Sequence, residues 1–161
     1  MKSDQDESFL QQCIALAINS AGSGGGPFGA LVVRDGQVLA KAANRVTLNF
    51  DPTAHAEIEA IRNATHTLGT PHLADCVLYA SCEPCPMCLA AALWARIPHV
   101  IFAATHAEAD RAGFADTFIA NQLYGQPQPK ALRPSFMQHF PVANASAPLD
   151  AWLANQDRVK Y

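Results

Sequence analysis

Cys85-Pro86-Met87-Cys88 sets two thiols one helical turn apart on the same face. At a helix N-terminus the dipole lowers thiol pKa, so both sulfurs are readily held as thiolates. Two chemistries fit such a pair: a redox-active dithiol of thioredoxin-like type, or half of a zinc site. His55-Ala56-Glu57 favours zinc. Residues i and i+2 do not share a face inside a regular helix, but at an irregular first turn both can point beyond the helix end. If the helix starts near 55 and 85 face one place, as the carboxyl ends of neighbouring parallel strands arrange, three ligands converge. His55, Cys85 and Cys88 would then leave the fourth position of a tetrahedral zinc open. Open sites are catalytic, closed four-ligand sites structural. The competing arrangement is a closed site with Cys82 as fourth ligand, although Pro84 separates it from the helical pair. Cys13 and Cys76 read more simply as buried apolar thiols.

Glu57 has a bland reading too, a solvated carboxylate favoured by the helix dipole. Its place two residues from a ligand suggests more. Zinc lowers the pKa of bound water from 15.7 to about 7. At ~1.36 kcal/mol per unit, that is roughly 12 kcal/mol towards hydroxide at neutral pH. A carboxylate beside the metal, not bound to it, can carry the proton released and return it.

The elements that must hold these residues follow from periodicity. Residues 4–21 carry Phe9, Leu10, Cys13, Ile14, Ala17 and Ile18 at helical spacing, and the glycines of 22–26 end that helix. Strands are expected over 28–33 and 38–43, joined by the hairpin signal Asp35-Gly36. A second helix is expected over 54–68 with Thr53 as its N-cap, a strand over 76–80, a helix over 84–95 started by Pro84, and a strand over 100–104. Such alternation predicts a partly parallel sheet covered by helices. Five of the eleven prolines (127, 129, 134, 141, 148) lie beyond residue 125. The segment 127–148 should therefore be mostly extended, with a short helix over 149–155.

The 161 residues fit a single domain, 1–161, with a sizeable core. No apolar run approaches a membrane span, and the acidic, polar start is unlike a secretory leader, so a cytoplasmic protein with no membrane partner is expected. An odd cysteine count, three of them within seven residues, does not look like a disulfide framework. With 11 Lys plus Arg against 14 Asp plus Glu, net charge is -3. That is no footprint for a long phosphate backbone, and a nucleic-acid partner is not expected.

Asp51-Pro52-Thr53-Ala54-His55-Ala56-Glu57 and Ser81-Cys82-Glu83-Pro84-Cys85-Pro86-Met87-Cys88 resemble the cytidine-deaminase-like superfamily, whose zinc deaminases carry His-x-Glu followed by Pro-Cys-x-x-Cys. The similarity extends nearly end to end towards the branch holding bacterial guanine deaminases. It includes Gly25-Gly26-Pro27-Phe28-Gly29-Ala30, Asn44, Leu93-Trp94-Ala95-Arg96, the run from Ala112 to Ile119, and Lys160-Tyr161. The resemblance implies an α/β fold, a three-layer α/β/α sandwich around a five-stranded mixed sheet, with one Zn2+ per subunit. It also implies a homodimer whose C-terminal segments, residues 127–161, are exchanged so that Tyr161 closes over a purine site; the bland alternative is a frayed terminus.

The implied activity is hydrolysis of guanine to xanthine and ammonia. The implied proton carrier is Glu57, and the implied metal ligands are His55, Cys85 and Cys88. Asn44 would read the purine edge, or merely form a turn. The Ala56 amide would meet the base, Phe28 would line its pocket or pack in the core, and Asp116 would accept guanine's N–H groups or cap a helix. Trp94, mid-helix, is expected to pack, and Glu83 to be structural. His66, His72, His99, His106 and His139 have no partner spacing that raises them. Alternatives are a purine nucleoside (guanosine) or tRNA adenosine deaminase, related triazine substrates, and an inactive zinc-stabilised interaction module.

Overall fold

The computed structural model describes residues 2–125 and 134–161. The expected early elements form: α1 (Lys2–Gly22), β1 (Gly29–Arg34) and β2 (Gln37–Ala43). Asp35 and Gly36 both take positive φ, 51° and 74°, the two-residue turn that matches strand twist. Then come α2 (Val46–Asn49), α3 (Ala56–Leu68), β3 (Cys76–Cys82), α4 (Pro86–Trp94), β4 (His99–Ala104), α5 (His106–Arg111), α6 (Asp116–Tyr124), β5 (Met137–His139) and α7 (Ala147–Ala154).

The strands form one mixed sheet in the order β2-β1-β3-β4-β5. β1 runs antiparallel to β2 and β3, while β3, β4 and β5 are parallel. Alternation along β1 divides the core in two. Leu31 and Val33 pack with Phe9, Leu10, Ile14 and Trp152 of α1 and α7. Ala30 and Val32 pack with Ala60, Ala64 and Ala92 of α3 and α4. The period of two thus sends successive side chains to opposite helical layers, and the three-layer α/β/α sandwich is as expected.

Two helix starts differ from expectation. Thr53 does not cap α3; its amide and hydroxyl both bond Asp51 Oδ1, at 2.8 and 2.7 Å, and His55 is the N-cap. α4 begins at Pro86 rather than Pro84, with Cys85 extended at φ -69°, ψ 168°. A residue before proline is pushed out of the helical region, and proline suits the first helical position. Trp94, expected to pack, is 85% exposed, because α4 buries only Pro86, Cys88 and Ala92.

In the tail, 126–133 lies outside the described residues, so the expected extended path there is not described. Beyond it, β5 adds an edge strand, where proline-rich sequence is tolerated. The last helix starts two residues earlier than expected. Gln11 and Asn144 exchange two amide hydrogen bonds of 2.9 Å, and Asn155 Nδ2 donates to Ala21 O, fastening the tail to α1. No described helix is long and apolar enough to cross a membrane.

Candidate active site

β3 and β4 are parallel, so the chain leaves both at the same edge of the sheet. α4 starts there after β3, and α5 after β4. The N-terminus of α3 arrives at the same place, and its N-cap, His55, turns its ring towards α4. Nδ1 of His55 lies 3.7 Å from Cys85 Sγ and 3.6 Å from Cys88 Sγ, and the two sulfurs are 3.7 Å apart. This near-equilateral triangle can be tested against a metal. Tetrahedral zinc with Zn–S of about 2.3 Å and Zn–N of about 2.0–2.1 Å requires edges of about 3.8 Å (S···S) and 3.6 Å (N···S). The donors fit zinc. The His55 side chain makes no capping bond to α3, and the Cys85 sulfur meets α4 at Cys88; both line the triangle.

Cys82 does not join them. Its sulfur points at Thr105 O, 3.8 Å away, and burial raises its pKa well above the ordinary value. The closed four-ligand arrangement is therefore not the one the fold builds. Cys13 and Cys76 are buried thiols, as expected.

Hydrogen bonding from the Cys88 thiol, opposed by burial and helped by His55, pulls the Cys85 pKa down to about 4. The same bond and burial push Cys88 well up. Burial works against charge on His55, but the Cys85 sulfur and Glu57 outweigh it, and its pKa is raised. Glu57 is 7% exposed. Burial, only partly offset by His55, pushes its carboxyl up to about 7. A carboxyl poised there can both take and give a proton near neutrality.

Asn44 follows β2 and is 1% exposed. Its Oδ1 accepts from Val46 N–H at 3.1 Å, the turn-forming role weighed above. Its Nδ2, however, is buried with no partner among the described residues. Ala56 is buried at the first position of α3. Phe28 packs edge-on against Phe114, centroids 4.8 Å apart. Phe114 in turn meets Trp152 and Tyr161, both at 5.5 Å. The Tyr161 phenol sits against Gly26 Cα and beside Asn44 Oδ1, in space that any Cβ on residue 26 would occupy.

Asp116 is the first residue of α6, and Ala115 is the N-cap, so the capping role does not apply. Burial raises the Asp116 pKa, with His106 opposing the rise.

His106 is the residue that sequence spacing missed. Its Nε2 donates to Pro84 O at 3.1 Å and lies 3.9 Å from Asp116 Oδ2. Its backbone N–H donates to Glu83 Oε2 at 3.1 Å, which bears out a structural role for Glu83.

A family model for the cytidine and deoxycytidylate deaminase zinc-binding region matches residues 3–104. Guanine deaminase of Bacillus subtilis is 43% identical over 156 residues, 96% of this chain and 98% of its own. Its crystal structure matches with a TM-score of 0.72. Guanine deaminase of Nitrosomonas europaea, 26% identical, matches 92% of this chain and 85% of its own with a TM-score of 0.77. The tRNA-specific adenosine deaminase of Aquifex aeolicus is 43% identical, but over 98 residues, 61% of this chain and 65% of its own. The family model names a zinc-binding region, which suits the triangle of His55, Cys85 and Cys88, and the Bacillus subtilis guanine deaminase matches nearly end to end: the chain belongs to the cytidine and deoxycytidylate deaminase family, among its guanine deaminases.

Proposed function

We propose that the protein hydrolyses guanine to xanthine and ammonia, with zinc held by His55, Cys85 and Cys88. The observation that carries this reading is the buried Glu57 carboxyl, pushed up to about 7, beside a three-donor triangle with an open fourth position. Bound zinc supplies a water activated at neutral pH. Glu57 would take one proton of the attacking water and deliver it to N3 as C2 gains a hydroxyl. It would then pass the proton of that hydroxyl to the amino group, which leaves as ammonia while C2 keeps the oxygen as a carbonyl. A structural zinc module has no use for such a carboxyl.

Guanine offers acceptors at O6 and N7 and donors at N1 and its amino group. The unpartnered Asn44 Nδ2 supplies a donor and Asp116 an acceptor, with Phe28 and the Ala56 amide framing the base. A base that leaves either reader unpaired is rejected by about 10⁴–10⁵. Tyr161 closes the pocket. The five free thiols suit a reducing cytoplasm.

The active form, in this reading, is a single-domain subunit paired with a second copy. α6 buries none of its residues, and Phe118, Ile119, Leu123 and Tyr124 on it are exposed together with Leu93 and Trp94 of the neighbouring α4. A nine-residue helix gains little stability without burying an apolar face. The two copies exchange their tails beyond residue 126, since every contact the tail makes with α1 is equally available to a partner's tail.

Ammonia release from zinc-loaded protein, measured across guanine, guanosine, adenine, cytosine and a tRNA anticodon stem-loop, tests the assignment. Guanine should lead. Preference for guanosine or for the tRNA loop would replace the substrate, and no release from any would leave only a zinc module.

A further inference from the structure

Of the titratable groups outside the metal triangle, His106 stands where two parts of the site meet. We infer that His106 is a positioning residue that locks the Asp116 carboxylate to the corner carrying Cys85. A carbonyl can only accept, so the 3.1 Å contact to Pro84 O places a proton on Nε2. That same N–H faces Asp116 Oδ2 at 3.9 Å, and so spans the residue before a metal donor and the reader of the substrate. The other ring nitrogen, Nδ1, faces Glu83 Oε2 at 4.0 Å.

The ring itself is held rigidly. His106 opens α5, whose N-terminus carries a complete capping box: Glu108 Oε2 accepts from the Thr105 N–H at 2.7 Å and from its hydroxyl at 3.0 Å, and the Thr105 side chain caps the helix in return. The Glu83 carboxylate accepts the His106 backbone N–H. A tied backbone and a donor fixed to Pro84 O leave the imidazole little freedom. The Asp116 side chain is mostly buried, 17% exposed, and the imidazole faces its Oδ2 from across the gap.

This inference rests on Asp116 reading the purine, and the test separates the two. His106→Ala and Asp116→Ala are made singly and together, with His106→Gln restoring a donor near Nε2. Zinc content, thermal midpoint, guanine kinetics and xanthine binding by titration calorimetry are measured for each. His106→Ala should keep zinc and fold, lower kcat/KM for guanine by about 2- to 5-fold, as loss of a part-buried polar contact at 3.9 Å does, and weaken xanthine. In the Asp116→Ala background it should change neither, because the partner is gone. His106→Gln should recover most of the loss.

An equal loss in both backgrounds, no loss at all, no rescue by glutamine, or zinc leaving with the imidazole would each overturn the link. Asp116→Ala with undiminished guanine preference would refute the reading of Asp116 itself.

Discussion

Replacing Glu57 by Gln should make the metal-free protein more stable while abolishing its chemistry. Glu57 is 7% exposed, and burial lifts its pKa from the ordinary 4.5 to about 7. Below pH 4.5 the carboxyl is protonated in folded and unfolded chains alike, and burial carries no electrostatic penalty. Between 4.5 and 7 the unfolded chain releases its proton while the folded chain retains it, so stability falls as pH rises. Above 7 the loss is complete.

The 2.5-unit difference amounts to roughly 3 kcal/mol at ~1.36 kcal/mol per unit. For a chain of this size that is about 6–12 °C in thermal midpoint. Chelator-treated wild type and Glu57→Gln, kept reduced, are melted at pH 4.5 and pH 8. The variant should melt higher at pH 8, with the gap closing at pH 4.5. Zinc-loaded Glu57→Gln should retain its metal but lose at least 10²–10⁴-fold in turnover. A gap of the same size at both pH values, or none at pH 8, would refute the argument that Glu57 is a desolvated carboxyl.

Cys85→Ala removes one corner of the triangle, so elemental analysis should find zinc falling from about one per chain towards none; a zinc-free, fully active variant would end the metal reading. Deleting residues 157–161 should collapse guanine turnover while zinc stays bound, because the Tyr161 phenol no longer covers Gly26 and Asn44. Mixing that deletion with Cys85→Ala under refolding conditions should restore part of the activity, since one core keeps its metal and can receive the other's intact tail. No recovery in the mixture would show that each tail serves its own core.

The chemistry was more legible in the sequence than its supports. His55, Glu57, Cys85 and Cys88 could be assigned because residue type and spacing at two helix starts limit what they can do together. α1, α3 and the central strands were legible because their apolar residues recur with period 3.6 or 2. Missed were α2, α5 and α6, too short for periodicity to register, and β5, whose three residues carry no alternation. The starts of α3 and α4 fell two residues from their expected places, because a proline after Cys85 and an Asp51–Thr53 turn decide them locally. His106 was illegible for a different reason. Its partners are Pro84, 22 positions earlier, and Asp116, ten later, brought together only because β3 and β4 run parallel. Trp94 showed no local sign of facing outward; its exposure follows from which side of α4 meets the sheet.

The triangle of His55, Cys85 and Cys88 also acts as a clasp. His55 and Cys85 are 30 positions apart in the chain, and an ion joining them would tie the start of α3 to the start of α4 much as a disulfide would. Closing a loop of that length restricts the unfolded chain by about 3–4 kcal/mol. Both helix starts, moreover, lack a side-chain cap of their own, a lack that costs about 1 kcal/mol at each end. Removing the ion therefore loosens α3, α4 and everything strung between them, including the strand that centres the sheet. Chelator-treated protein should then melt well below the zinc-loaded form, and not merely lose activity.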